Sequence, residues 1–397
     1  MGAPAFQPLH ARHRHRPDRA DDPRAAPARR PRRRGRVRAG LILALALLAA
    51  GPARADPLRV ASFNTELSRK GPGLLLRDIL RGDDPQVAAV VTVIAAARPD
   101  VIALQGIDYD LDGAALNALA GALAQAGLDY PHRFAGPPNS GRRSGLDLDG
   151  DGRADTPRDA QGYGRFTGQG GMAVLSRYPL AVPEMRDFTP LLWADLPGAA
   201  LPSAGGKPFP GAGAQAVQRL SSVAHWDLPV DAPQGRLHLL TFHATTPVFD
   251  GPEDRNGLRN RDELRLWPLY LDGALGAAPP ERFVLLGDAN LDPADGEGRH
   301  EAIRALLADP RLQDPRPQSP GARAAADPGH AGDPALDTVD WDGPGNLRVD
   351  YVLPAAGLQV RAAGVLWPEA GGSVNGIDAE TAARASRHRL VWVDLGG

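Results

Sequence analysis

Phe283-Val284-Leu285-Leu286-Gly287-Asp288-Ala289-Asn290 is the stretch on which the reading of this chain turns. Four apolar residues, with Pro280 ahead and Gly287 behind, predict a buried strand. Beyond the glycine, Asp288 and Asn290 bring a carboxylate and a carboxamide to the rim of a sheet. Asp288 can take a proton from water. Asn290 can donate hydrogen bonds to an oxyanion without carrying charge. That is the equipment of a hydrolase acting on phosphate or acyl groups. Gly-Asp-x-Asn is also a good turn sequence, so the stretch gains its meaning from its surroundings.

Outward from it, strand-like and helix-like segments alternate. Leu58–Asn64, Val101–Gln105, Met172–Leu175, Val217–Trp226, Leu237–His243, Val349–Leu353, Leu358–Leu366 and His388–Leu395 read as strands. Pro85–Ala97 reads as a helix with Pro85 near its first position and Asp83 or Asp84 as cap. Ala114–Ala126 is an amphipathic helix ending at Gly127. Leu258–Leu275 is a helix interrupted or kinked at Pro268, and Ala302–Leu307 is helical. This mixture over the mature chain predicts α+β layers, with helices outside stacked sheets. Three Gly/Pro-rich stretches, 136–171, 196–214 and 315–346, read as surface insertions.

Composition narrows the class. The chain has 397 residues, 43% of them hydrophobic, and no Cys, which excludes disulfides and thiolate chemistry. Residues 1–38 are rich in Arg and Pro. Leu41–Leu48 is a short apolar run, and Ala53-Arg54-Ala55 is an A-x-A cleavage pattern. Together they read as a secretory signal, too short for a membrane span. Arg32-Arg33-Arg34 also admits a twin-arginine route. The division is therefore an export region, 1–55, and one domain, 56–397, acting in the periplasm or outside the cell as a monomer. Residues 1–55 carry 13 Arg and 3 Asp, a net of +10; the whole chain is −2, leaving −12 for the remainder. An acidic mature protein lacks the broad basic face of a sequence-blind DNA binder, so phosphate recognition must be local.

Seven short motifs, in order from residue 58 to residue 394, resemble those of the endonuclease/exonuclease/phosphatase superfamily, which includes deoxyribonuclease I, abasic-site endonucleases, neutral sphingomyelinases and inositol polyphosphate 5-phosphatases. They are Ser62-Phe63-Asn64, Ala103-Leu104-Gln105, Met172–Pro179, Thr241-Phe242-His243, Gly287–Asn290, Val349-Asp350-Tyr351-Val352 and Ser386–Leu390. The resemblance implies a four-layer α/β/β/α sandwich of the deoxyribonuclease I type, with the site at the rims of two packed sheets. It also implies roles. His388, oriented by Asp350, would contact phosphate or protonate an oxyanion. Asp288 would activate water. Asn64 and Asn290 would bind phosphate oxygens, and His243 would sit beside the leaving group.

Two positions depart from the pattern. Where the family usually has Glu after Leu-Gln, as a main Mg²⁺ ligand, this chain has Gly106; where it has Asp before the terminal His, this chain has Arg387. Three readings are open. In the first, the site for Mg²⁺ or Mn²⁺ is rebuilt from Asn64 with Glu66 and Asp108, each two residues along a strand from a family position, with Asp110 as a further carboxylate. In the second, Arg387 replaces the cation and binds phosphate directly. In the third, the chain binds a phosphate ligand without turning it over. The function expected from these features is that of an exported phosphoester hydrolase acting on nucleotides, short nucleic acid or phospholipid head groups.

A separate loop, Asp147 to Asp155, has carboxylates at Asp147, Asp149, Asp151 and Asp155 and Gly152 at its sixth position, the spacing of an EF-hand-type calcium loop. Arg158 stands at the twelfth position in place of Glu, with Asp159 beside it. A structural Ca²⁺ is expected here. Asp250–Glu263, rich in both charges, reads as a salt-bridged loop and helix start; the resemblance implies a place near the rim of the site, where substrate contact is the alternative.

Overall fold

The computed structural model describes residues 56–396; residues 1–55, expected from sequence to be an export region, lie outside the described residues. The main strands are β1 (Leu58–Asn64), β2 (Val101–Ile107), β3 (His132–Ala135), β4 (Gly171–Ser176), β5 (Arg186–Asp187), β6 (Ala224–Ala232), β7 (Gly235–His243), β8 (Phe283–Asp288), β9 (Asp350–Pro354), β10 (Val360–Val365) and β11 (Val391–Leu395). The main helices are α1 (Leu74–Arg81), α2 (Pro85–Ala97), α3 (Ala114–Gln125), α4 (Arg255–Leu271), α5 (His300–Leu307) and α6 (Ala379–Ala385). The strands form two sheets, ordered β10-β11-β1-β2-β4-β3 and β9-β8-β7-β6-β5.

Period-two alternation assigns the layers. In β1 and β2, Leu58, Val60, Val101 and Ala103 face the second sheet and join the core between the sheets. Ala61, Phe63, Ile102 and Leu104 face the other way, onto α2 and α3, with Ala382 and Ala385 of α6 in the same cluster. Trp267 and Tyr270 of α4, with Ile303 and Leu306 of α5, cover the outside of the second sheet. The result is the expected four-layer sandwich. Helix α2 has the bounds read from sequence, and Asp84 caps it by accepting from the Val87 N–H at 2.8 Å.

Three expectations shift. The strand placed at Val217–Trp226 is β6, seven residues later; Asp227, Pro229 and Asp231 inside it disguised its pattern. Pro229 is tolerated because it faces the edge segment and not β7: its carbonyl accepts from the Ala181 N–H at 2.9 Å, and the Ala181 carbonyl is taken by the Glu184 N–H, so no ladder bond needs a proline N–H. Helix α4 begins at Arg255 and ends at Leu271, running through Pro268 unbroken. Its buried face carries Arg259, Asn260, Asp262 and Glu263, polar residues that an apolar pattern does not register. The 136–171 stretch is not a loose insertion. Its Asn139 is fully buried, and its carboxamide donates to the Thr189 and Ser221 carbonyls at 2.7 and 2.8 Å. Helices α1 and α6 and strand β3 add to the elements expected from sequence. No helix among the described residues is long and apolar enough to cross a membrane.

Candidate active site

Strand register assembles the centre. Asp288 at the end of β8 pairs with His243 at the end of β7 on one side and with Asp350 at the start of β9 on the other. Gly287 makes the close approach possible, since a Cβ there would meet the Phe242 carbonyl oxygen at 2.0 Å. From the facing sheet, Asn64 closes β1. His388 lies three residues before β11, whose Val391 is in register with Ser62 of β1.

These side chains form one buried network. The Asn64 Nδ2 donates to Asp288 Oδ2 at 2.8 Å and lies 3.4 Å from His388 Nε2. His388 Nδ1 bonds Asp350 Oδ2 at 2.9 Å and lies 4.0 Å from Asp288 Oδ2. His243 Nε2 is 3.4 Å from the same oxygen. Burial favours the neutral form of His388, but the carboxylates of Asp350 and Asp288 outweigh it and push the pKa up to about 9. The imidazole is therefore charged at neutral pH. Burial raises the Asp288 pKa, with Asp350 adding to the rise, and burial lowers that of His243. Trp341 packs its edge against the His388 ring, centroids 5.6 Å apart.

Asn290 sits beside the network with φ of 49°, a conformation Asn tolerates better than most residues. Its N–H donates to Asp288 Oδ1 at 2.8 Å, and its carboxamide donates to the Ala244 carbonyl at 2.9 Å. One of its amide hydrogens is thus committed to holding the strand ends together.

The rebuilt cation site looks different from its expectation. A β-bulge between Gln105 and Ile107 breaks the two-residue period, so Asp108 does not follow the Gly106 position to the centre. Its oxygens instead accept from the Arg69 and Gly170 N–H groups at 2.8 and 2.9 Å. Asp110 caps α3 through the Ala114 and Ala115 N–H groups. Glu66 does reach the rim, turned by a φ of 48° just past β1. There Arg387 takes it: the Arg387 backbone N–H donates to Oε2 at 2.8 Å and its Nε to Oε1 at 2.9 Å. Burial raises the Glu66 pKa, but these bonds outweigh it and hold the carboxylate below its usual range. Gly106, with φ of 67°, has no room for a ligand, because a Cβ would meet Asn64 Oδ1 at 2.4 Å.

The donors for a metal therefore divide. The rim pair of Glu66 and Arg387 offers a cation a carboxylate that is already neutralised. The inner set does fit one: Asp288, Asp350 and His388 bring ligand atoms within 4.8 Å of one another. Asp350 Oδ1 is buried there with no partner. Binding through His388 would require it to shed its proton.

In the acidic loop, the carboxylates of Asp147, Asp149 and Asp151 converge within 4.8 Å, whereas Asp155 is not part of that group. Arg158, in the twelfth position, turns back onto Asp149 at 3.6 Å. Asp159 is spent on the Leu148 and Thr156 N–H groups. The loop thus holds three of the four expected carboxylates, with a guanidinium where a bidentate Glu would complete a calcium site.

Three supporting residues had no role assigned from sequence, although Ser386 opens one of the seven motifs. Ser386 bonds the Asn64 carbonyl and Glu66 and accepts from the His388 N–H. Thr338 Oγ1 accepts from the Val349 and Asp350 N–H groups, both at 3.0 Å, fixing the start of β9. Thr338 and Trp341 both lie in the stretch read as an insertion; a hydroxyl or an indole there becomes informative only once the chain is folded back on the rim.

The family model described as "Endonuclease/Exonuclease/phosphatase family" matches residues 61–388. Among solved structures, the chain is similar to an endonuclease/exonuclease/phosphatase from Beutenbergia cavernae DSM 12333, at 20% identity and a TM-score of 0.48, covering 86% of this chain and 72% of that one. It is similar to sphingomyelinase C from Streptomyces griseocarneus, at 19% identity and a TM-score of 0.46, covering 85% and 99%. A Staphylococcus aureus beta toxin mutant with bound magnesium ions matches at 11% identity and a TM-score of 0.43, covering 86% and 99%. No curated protein sequence matches the chain.

Proposed function

Since the chain belongs to the endonuclease/exonuclease/phosphatase family, we propose that it hydrolyses phosphoester bonds at the Asp288–His388 centre. The observation that carries this is the Asp350–His388–Asp288–Asn64 network, in which a carboxylate-held imidazolium faces a buried base across a few ångströms. Asp288 takes the proton of a water attacking phosphorus; its raised pKa makes it a stronger base than an exposed Asp. His388 keeps Nδ1 on Asp350, so Nε2 is the atom that presents a proton to a phosphoryl or departing oxygen. Asn64, the remaining amide hydrogen of Asn290 and His243 line the same rim and position the phosphoryl group. A divalent cation, if held by Asp288, Asp350 and a neutral His388, would supply Lewis-acid stabilisation of the phosphoryl oxygens in place of the His388 proton, not in addition to it.

One observation favours the binding-only reading: Arg387 occupies the carboxylate of Glu66. A single assay separates the two. Residues 56–397 are assayed on a chromogenic phosphodiester and a phosphomonoester, with EDTA, Mg²⁺, Mn²⁺ or Ca²⁺, beside His388→Ala. Turnover that the variant loses supports hydrolysis; equal background rates in both overturn it. We also propose that the protein acts outside the cytoplasm as a monomer. The support for export is the signal-like pattern of residues 1–55; cell fractionation tests export, and gel filtration tests the oligomeric state.

A further inference from the structure

A cleft of about 570 Å³ lies beside the catalytic rim, lined among others by Arg158, Tyr163, Thr245, Phe249, Arg255 and Arg259. Its wall is continuous with the catalytic strands. Thr245 is two residues beyond His243, the Ala244 N–H donates to the Asp288 carbonyl at 2.9 Å, and Asn260 joins the Thr245 and Ala289 carbonyls at 2.7 and 2.8 Å. A ligand reacting at Asp288 would extend into this space.

The lining carries a local surplus of positive charge in an acidic protein. Arg255 is 8% exposed and forms no salt bridge among the described residues; its guanidinium bonds the Leu148 carbonyl. Arg259, 5% exposed, donates only to carbonyls, those of Leu220, Gln161, Arg219 and Ser221. Arg158 has one carboxylate partner, Asp149, at 3.6 Å. Asp149, Asp250 and Glu253 act on Arg255, and Glu263 on Arg259, through space without a direct ion pair, so among the described residues neither buried guanidinium has a carboxylate in contact, and an anion in the cleft would supply one. Two rings stand open to solvent at the same cleft: Tyr163 is 64% and Phe249 76% exposed. Phe249 has φ of 70°, an outlier for a bulky residue and a strained backbone position. Arg158 bonds the Phe249 carbonyl, tying the strained turn to the charged wall.

We propose that this cleft receives a nucleotide portion of the substrate, with the base stacked on Phe249 or Tyr163 and a second phosphate drawn to Arg158 and Arg255. The proposal rests on the phosphoester reading of the Asp288 centre. Bases stack on exposed aromatic rings regardless of identity, and guanidinium groups take phosphate. A phosphocholine head group suits the cleft less well. Its quaternary ammonium would be drawn to the rings but would meet three guanidinium groups with a single carboxylate in contact.

The test is equilibrium binding to residues 56–397, which does not depend on turnover. The probes are a nucleoside 3′,5′-bisphosphate, inorganic phosphate and phosphocholine, with circular dichroism to confirm folding of each variant. The bisphosphate is expected to bind more tightly than the other two. Phe249→Ala and Arg158→Ala should each weaken it by about 5- to 100-fold, and Phe249→Ala should leave inorganic phosphate affinity unchanged. Phe249→Gly, which relieves the backbone, should weaken it as much as Phe249→Ala does while melting no lower than wild type. Phosphocholine binding as tightly as the bisphosphate, or bisphosphate affinity indifferent to both substitutions, overturns the proposal. Absence of phosphodiester turnover with the binding pattern intact would overturn the hydrolase reading instead.

Discussion

Arg387 closes on Glu66 at the mouth of the site with both its backbone and its side chain, at 2.8 and 2.9 Å. Glu66 is the one carboxylate that reaches the rim where a cation ligand was expected, and its charge is already matched. Arg387→Ala leaves Glu66 beside Asn64 with its side-chain partner gone. Isothermal titration with Mn²⁺ is expected to show affinity rising on the order of 10-fold, about 1.4 kcal/mol. Identical titrations of wild type and variant would show that the pair does not guard a cation site.

The charge of His388 gives a pH dependence with a defined sign. Its folded pKa, about 9, lies above the ordinary 6.5. The stability it contributes is therefore fully present below pH 6.5 and is lost as pH rises through about 9. Asp350→Asn removes the carboxylate that bonds Nδ1 and does most to hold the proton. The melting temperature of wild type should fall more steeply between these limits than that of Asp350→Asn. Turnover at neutral pH should fall about 10²- to 10⁴-fold in His388→Ala. Parallel melting profiles would contradict the charged imidazole.

Gly106 cannot be restored to the family residue by a simple exchange. Gly106→Ala places a methyl 2.4 Å from Asn64 Oδ1 at a φ of 67°. It should lower stability by about 1–2 kcal/mol from the left-handed backbone alone and reduce turnover by moving the Asn64 carboxamide off Asp288. Gly106→Glu should be worse on both counts. Denaturant melts and a phosphodiester assay check this; a Gly106→Glu protein with wild-type stability and stronger metal activation would refute it.

Glu263 holds the wall between the cleft and His243. Its Oε1 accepts from the Ser222 N–H, and its Oε2 takes the Thr245 N–H at 2.6 Å. Gln offers only one acceptor oxygen, so Glu263→Gln sets an amide N–H₂ against a backbone donor. The expected loss is about 1–3 kcal/mol. Burial raises the Glu263 pKa to about 7, above its ordinary 4.5. Wild type should therefore lose stability as pH rises from 4.5 through about 7, and the variant should lack that component. Chemical denaturation on either side of that window measures both.

Much of this was written into the sequence. Alternating apolar residues set which face of β1 and β2 meets the second sheet, and Gly287 followed by Asp288 marked a strand end bearing a carboxylate. The order of the strand-end motifs named Asn64, His243, Asp288, Asp350 and His388, and the register of three neighbouring strands places His243, Asp288 and Asp350 side by side. Such patterns are legible because periodicity acts within one element and depends on nothing distant. Tertiary structure decided the fate of the remaining charges. Asp108 is spent on two backbone N–H groups because a bulge at Gly106 broke the period. Glu66 went to Arg387, 321 residues away. Thr338, Trp341 and Ser386 came to the site along loops and short connecting segments, and Arg255 and Arg259 were buried on a helix face that looked polar. A charged side chain takes whichever partner the folded backbone brings within about 3 Å, and no local spacing carries that information.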